Sequence, residues 1–498
     1  MLHRQQIRVL ALRADVSRQA ALAYLKNVPR LSRLILLATT LGLLASPGVA
    51  QARALTLGIA AAPFSDPTAP QPGDPWLQNA VDVGAQLVLL SASWSSLAPA
   101  QRPPGFDPAD PADPAYQFAT LDAQVRALAA RARRIALLTS SAPAWAIGAG
   151  APADADAGTW RPDPAEYGRF ARALAGRYSG TFPDPLRPGS TLPAIAAFQA
   201  WAEPNLSNHL TPQWTGSGAG LRPAAPAHYR RMLNAFYAGI RAGAPRALVV
   251  SAGTAPFGDP VPGGQRMPPA RFWREVLCLR GRAMRPARCP NPARFDVLAH
   301  HPYSVGGPRR RALNVDDVSI PDLGKLTRPL RRAERSGRAL PRKRHRLWVT
   351  EFSWDTRPPD PFGVPAQRHA RWMSEAFEQF WRQGVDTIAW FILRDQAGPP
   401  FDTTYQSGLF TRGGAAKPAA RAFRFPFTAR RRGARVGVWA RVPANGVLRV
   451  QRRVGGSWRT VATRPVRAGA VTTLGVRVPR AARIRGRVGD VISTSWTT

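Results

Sequence analysis

Several things are scarce in this chain, and each scarcity excludes something. Apart from residues 34–45 there is no long apolar run, and that one is too short for a confident membrane span. No glycine-rich phosphate loop follows the first predicted strand, which argues against a dinucleotide-binding fold. Only two cysteines occur, Cys278 and Cys289, with no histidine at ligand spacing, so no zinc site is expected. Lysine is limited to Lys26, Lys325, Lys343 and Lys417 among 69 basic residues, and acids number only 30. The resulting net charge of +39 is carried almost wholly by arginine. Together with abundant Ala, Pro and Gly, this has the look of codon bias in a GC-rich genome. The functional alternative is attraction to an anionic wall polymer or nucleic acid. No nucleic-acid-binding motif accompanies the charge, so nucleic acid is not an expected partner.

The apolar run at 34–45 follows Arg30 and Arg33 and precedes Ser46-Pro-Gly-Val-Ala50-Gln-Ala52, a small-residue cleavage pattern. Residues 1–52 are therefore expected to be a leader, with the mature chain starting at Arg53 and no membrane insertion after cleavage. An uncleaved anchor is the alternative. Either way the remainder lies outside the cytoplasm, secreted or at the cell surface. In such a chain Cys278 and Cys289 are most simply a disulfide closing a short surface loop, worth about 3 kcal/mol at most, with free thiols as the alternative.

Past the leader, apolar strand-like segments alternate with helical stripes. Strands are expected over 55–61, 86–90, 134–138, 194–203, 247–251, 295–299, 347–350 and 385–393. Helical spacing joins Leu121, Val125, Leu128 and Ala132. It also joins Tyr167, Phe170 and Leu174, then Tyr229, Met232, Leu233, Phe236 and Ile240, and finally Trp372, Ala376, Phe377 and Phe380. Eight strands alternating with helices indicate a (β/α)8 TIM barrel over residues 53–425. From Phe425-Pro-Phe427 the pattern shortens and alternates, with Val436, Val438, Ala440 and Val442 before Asn445-Gly446, a strong hairpin signal. Residues 426–498 read as a small all-β domain holding sixteen arginines and one acid, Asp490. That face is either simply solvated or a surface for an anionic cell-wall polymer.

Two strands end alike. Ala194-Ile-Ala-Ala-Phe-Gln-Ala-Trp-Ala-Glu203-Pro-Asn205 and Arg346-Leu-Trp-Val-Thr-Glu351-Phe-Ser-Trp354 each close on a glutamate among aromatics. Strand C-termini are where a barrel builds its chemistry, so Glu203 and Glu351 share one mouth. Two carboxyl groups at such a place suit cleavage of a glycosidic bond, one attacking the anomeric carbon and one protonating the leaving oxygen. Trp201 and Pro204 give Glu203 the apolar surroundings an acid needs. Tyr303 is the candidate donor to the nucleophile, and Trp94, Trp145, Trp354 and Trp390 could stack on sugar rings. No metal or organic cofactor is required.

The pieces Trp201-Ala-Glu-Pro-Asn205, His301-Pro-Tyr303, Trp348-Val-Thr-Glu351 and Trp390 resemble the clan A retaining glycoside hydrolases. They are most similar to secreted actinobacterial cellulase-like and β-xylosidase-like members. The resemblance spans residues 55–427. It implies that Glu203 is the acid/base and Glu351 the nucleophile, that Tyr303 contacts the nucleophile, and that His301 and Trp390 line the sugar site. The chain departs from the pattern twice. Ala202 stands where the clan has an asparagine that holds the sugar 2-hydroxyl, and the second strand lacks an arginine. The expectation is a secreted retaining glycoside hydrolase acting on a β-linked poly- or oligosaccharide. The alternative is a catalytically impaired barrel that binds a cell-wall or capsule glycan.

Overall fold

A computed structural model describes residues 53–60, 75–401 and 403–498. The expected leader lies outside them. Eight parallel strands close into a barrel: β1 (Thr56–Ala60), β2 (Leu87–Ser93), β3 (Arg134–Ser140), β4 (Ala197–Ala202), β5 (Leu248–Thr254), β6 (Val297–His300), β7 (Arg346–Val349) and β8 (Thr387–Trp390). Each pairs with its sequence neighbours, and β8 returns to β1 through Thr56↔Thr387 and Ile59↔Trp390. This is the (β/α)8 TIM barrel anticipated from the strand–helix alternation.

The pleat sorts the side chains. In β2, Leu87 and Leu89 point into the barrel with Ala136, Ala197, Val250, Trp348 and Ala389, whereas Val88 and Leu90 face the surrounding helices. The helices are α1 (Pro75–Asp82), α2 (Ala119–Ala129), α3 (Pro164–Arg177), α4 (Ala225–Gly243), α5 (Pro269–Val276), α6 (Gly324–Arg335), α7 (Ala366–Arg382) and α8 (Pro418–Arg424). Asp163 caps α3 by accepting from the backbone N–H groups of Ala165 (2.7 Å) and Glu166 (3.1 Å), with Pro164 opening the first turn. Between α3 and α4 the backbones approach so closely that a Cβ on Gly239 would sit 2.2 Å from the Gly168 carbonyl oxygen. Cys278 and Cys289 are joined in a disulfide just beyond α5.

Beyond Phe425 the chain forms two antiparallel sheets. One contains β9 (Phe427–Arg432), β10 (Arg435–Arg441) and β13 (Val471–Val476). The other contains β11 (Gly446–Val454), β12 (Ser457–Val466) and β14 (Arg483–Val488) with two short strands. Val436, Val438, Ala440 and Val442 are all buried, as their alternation requires. Asn445-Gly446 is not the hairpin turn expected of it. The two strands it joins belong to different sheets, so it is a crossover, and the Asn445 side-chain Oδ1 accepts from the Ala468 N–H (2.9 Å). The turn between β11 and β12 is instead Gly455-Gly456, both in the left-handed region. The C-terminal sheets rest on the barrel: Trp439 meets Trp381, Thr428 donates to Glu378 (2.7 Å), and Arg441 donates to the Leu55 carbonyl (3.1 Å).

Candidate active site

The backbone of β4 turns sharply where its functional end begins. Trp201 and Glu203 both have positive φ, 75° and 38°, a conformation costing about 1–3 kcal/mol each for such residues. Neighbouring groups over-determine it. The Tyr229 hydroxyl, from α4, donates to the Ala200 carbonyl (3.0 Å) and accepts from the Ala252 N–H (2.6 Å). Thr139 Oγ1 accepts from the Trp201 N–H (3.2 Å), and the Glu203 N–H donates to the Gly253 carbonyl (2.9 Å). The turn carries the Trp201 ring outward against Tyr167 and leaves the Glu203 carboxylate in the mouth.

There Glu203 meets Glu351 across one imidazole. His301 Nδ1 lies 2.8 Å from Glu203 Oε1 and 4.0 Å from Glu351 Oε2. Tyr303 donates to Glu351 Oε1 at 2.7 Å. On its other side His301 Nε2 is 3.2 Å from Thr350 Oγ1, which also accepts from Gln199 Nε2 (3.1 Å). The ring fits only because residue 253 is glycine, since a Cβ there would fall 2.0 Å from His301 Nε2. His209 Nε2 stands 3.8 Å from Glu203 Oε2.

The charges are coupled. Burial opposes the Glu203 charge, yet the hydrogen bond and charge of His301 outweigh it and hold the carboxyl below its usual range, the reverse of the raised acid expected from Trp201 and Pro204. Burial pushes Glu351 up, and the Glu203 charge adds to the rise despite His301 and Tyr303. Burial would lower His301, but Glu351 and Glu203 together lift it above the ordinary imidazole value. The three shifts describe a cluster whose proton rests on His301, one hydrogen bond from Glu203.

The aromatic expectations need correction. Trp94 is 0% exposed, wedged among Trp145, Tyr167 and Phe170. Trp201 and Trp390 are likewise buried, their indole N–H groups donating to the carbonyls of His209 (2.8 Å) and Ser407 (2.8 Å). None of the three offers a free face to a sugar, because each ring turns to the helix layer rather than the mouth. Asn205 is buried as well. Its amide donates to the carbonyls of Ala255 (3.2 Å) and Met267 (3.0 Å) and accepts from the Ala255 N–H (2.9 Å), so it staples two loops. Trp354 is nearly buried and donates to the Ser304 and Gly306 carbonyls (3.1 and 3.0 Å). Trp145 is half-buried beneath the Arg102 guanidinium. Sequence reasoning missed His209, Thr350, Gln199, Gly253 and the exposed Tyr405, whose hydroxyl feels both glutamates. Only the inward period-two positions on β4 and just past β7, Gln199 and Thr350, left a readable signal.

Among the described residues no group of His, Cys, Asp and Glu could hold a metal ion, and no helix is long and apolar enough to cross a membrane. No family model and no curated protein matches the chain. Solved structures do. A family 39 glycoside hydrolase from the gut symbiont Bacteroides cellulosilyticus is 15% identical with a TM-score of 0.52, over 86% of this chain and 81% of that one. A glucosidase from Croceicoccus marinus is 16% identical with a TM-score of 0.48, over 86% of this chain and 93% of that one. At this identity the first likeness shows a shared barrel fold.

Proposed function

We propose that the chain is an exported retaining O-glycoside hydrolase acting on a β-linked poly- or oligosaccharide. The observation that carries this reading is the meeting of Glu203 and Glu351 at one imidazole in the mouth of the barrel. Their nearest oxygens lie no farther apart than the sum of 2.8 and 4.0 Å. That supports the short separation of a retaining pair over the wide gap an inverting water needs. Glu351, held by Tyr303, attacks the anomeric carbon. A proton passes from His301 to Glu203 and on to the glycosidic oxygen as it leaves, so Glu203 ends the step ionised. A covalent glycosyl–Glu351 ester results, and Glu203 then deprotonates the water that hydrolyses it. Export is supported by the Cys278–Cys289 disulfide, which suits an oxidising compartment. The arginine-rich C-terminal sheets would meet any anionic wall polymer. Ala202 leaves the 2-hydroxyl contact to another group, but with both carboxylates in place no other observation favours a barrel that only binds.

A panel of 2-deoxy-2-fluoro aryl β-glycosides tests the reading by mass spectrometry. The expected result is one glycosyl adduct on the peptide containing Glu351, absent in Glu351→Gln. An adduct elsewhere, or turnover with inverted product by NMR, would overturn it.

A further inference from the structure

The loops that leave the C-terminal ends of β5 and β6, the end of the barrel that carries the carboxylate pair, line an open cavity of about 230 Å³. Its lining divides into two kinds. Phe257, Val305 and Leu313 are apolar, and Leu313 and Val305 stand 88% and 70% exposed. Arg266, Arg310 and Arg311 are cationic. The cavity is anchored on both sides of the candidate active site. Arg266 bridges to Leu206, three residues past Glu203, and the Ser207 N–H donates to the Gln265 carbonyl (2.8 Å). On the other side Trp354, three residues past Glu351, donates to the Ser304 and Gly306 carbonyls. The Val318 N–H donates to the Pro256 carbonyl (2.9 Å), and Asp317 accepts from the Gly258 N–H (2.9 Å), which ties the two loops to each other.

The arginines are unequally engaged. Arg266 pairs with Asp259 at 2.9 Å and Arg311 with Asp322 at 3.5 Å. Those carboxylates also accept from the backbone N–H groups of Arg266 and Ala312 (both 2.8 Å), so they serve the loops. Asp317 is taken by Gly258 and Asn314. Among the described residues Arg310 has no carboxylate partner, and it extends from an exposed position into the cavity rim. A free guanidinium next to apolar side chains left in water suits a sugar ring with a C–H face and an anionic substituent, of which a carboxylate is the one a uronic acid carries.

We propose that this cavity is a subsite for a uronic acid residue of the glycan, next to the sugar held at Glu203 and Glu351. The ring lies against Val305, Leu313 and Phe257 while Arg310 takes the carboxylate. This rests on the glycosidase reading, but its test is separable from it.

Calorimetry on the full-length Glu351→Gln variant, which removes turnover, compares a β-linked glucuronate-containing tetrasaccharide with its carboxyl-reduced neutral counterpart. The acidic form should bind about tenfold more tightly. That preference should collapse when Arg310→Ala is added and shrink at 1 M salt. Equal affinity for the two forms, no binding of either, or a preference that survives Arg310→Ala would overturn the assignment. Hydrolysis is scored separately on the unaltered chain. An intact acidic preference without any cleavage would sink the proposed activity while leaving the subsite standing.

Discussion

Several arginines that leave solvent in the barrel meet carboxylates, although Arg230, Arg133 and Arg338 settle for backbone carbonyls. Arg177 holds Asp122 with two bonds, 3.0 and 2.6 Å, and Tyr178 donates to the same acid at 2.8 Å. Arg274 forks onto Asp316 at 2.9 and 2.8 Å. The C-terminal sheets treat the same residue differently. Arg449 stands directly opposite Arg487, and Arg452 opposite Arg459. Arg441 is buried against the barrel with a backbone carbonyl and Gln86 as its acceptors, and burial drops its guanidinium to about 10. The best-buried ion pairs therefore lie in the barrel, where Arg177 and Arg274 each depend on a specific acid. In the sheets only Arg430, which reaches Glu375 and Glu378 of the barrel, and the exposed Arg487–Asp490 pair meet a carboxylate among the described residues. A high arginine count thus says little about function until the acids around each one are known.

The largest test of that contrast is the stability of Asp122→Ala. Removing the acid strands Arg177 in the barrel wall, and unfolding by denaturant should show a loss of about 3–5 kcal/mol. Asp490→Ala, at the fully exposed acid of the C-terminal sheets, should leave the midpoint unchanged. Equal losses would end the distinction.

Coupling at the barrel mouth should also appear in the pH profile of kcat/KM. Activity requires Glu351 ionised and the His301 proton in place. It is therefore lost as pH falls through the Glu351 value and as pH rises through the His301 value. Both are raised, so the whole bell should sit above the window set by an ordinary glutamate and an ordinary imidazole. A profile centred on unshifted values would mean that the three groups titrate independently.

The smallest effect belongs to the sheets. Arg449→Ser removes one of two directly opposed like charges and should raise the thermal midpoint by at most about 1 °C at low salt. The gain should vanish at 1 M salt, where the screening length is about 3 Å. A gain that persists there would mean that packing, not repulsion, sets the effect.

Much of this was open to reading from residue order. The alternation of apolar strands with helical stripes specifies the barrel because each strand must bury two faces and each helix one. Glu203 and Glu351 could be placed in one mouth because parallel strands end on the same side. The disulfide was legible from two cysteines eleven residues apart. Period-two logic fails where the backbone leaves the β region. The left-handed turn at Trp201 reverses which way that ring points, and the short helical turn after β2 does the same for Trp94. Asn445-Gly446 carries the local chemistry of a hairpin, but pairing partners are chosen by burial of β10 and β11 in separate sheets. The proton cluster is the clearest case of what only the tertiary structure decided. Glu203, His301 and Glu351 are about fifty or a hundred residues apart in the chain, and nothing in the order of residues says that one imidazole will stand between two carboxylates. That depends on the barrel closing, and on Gly253 leaving room for a ring no other residue would admit.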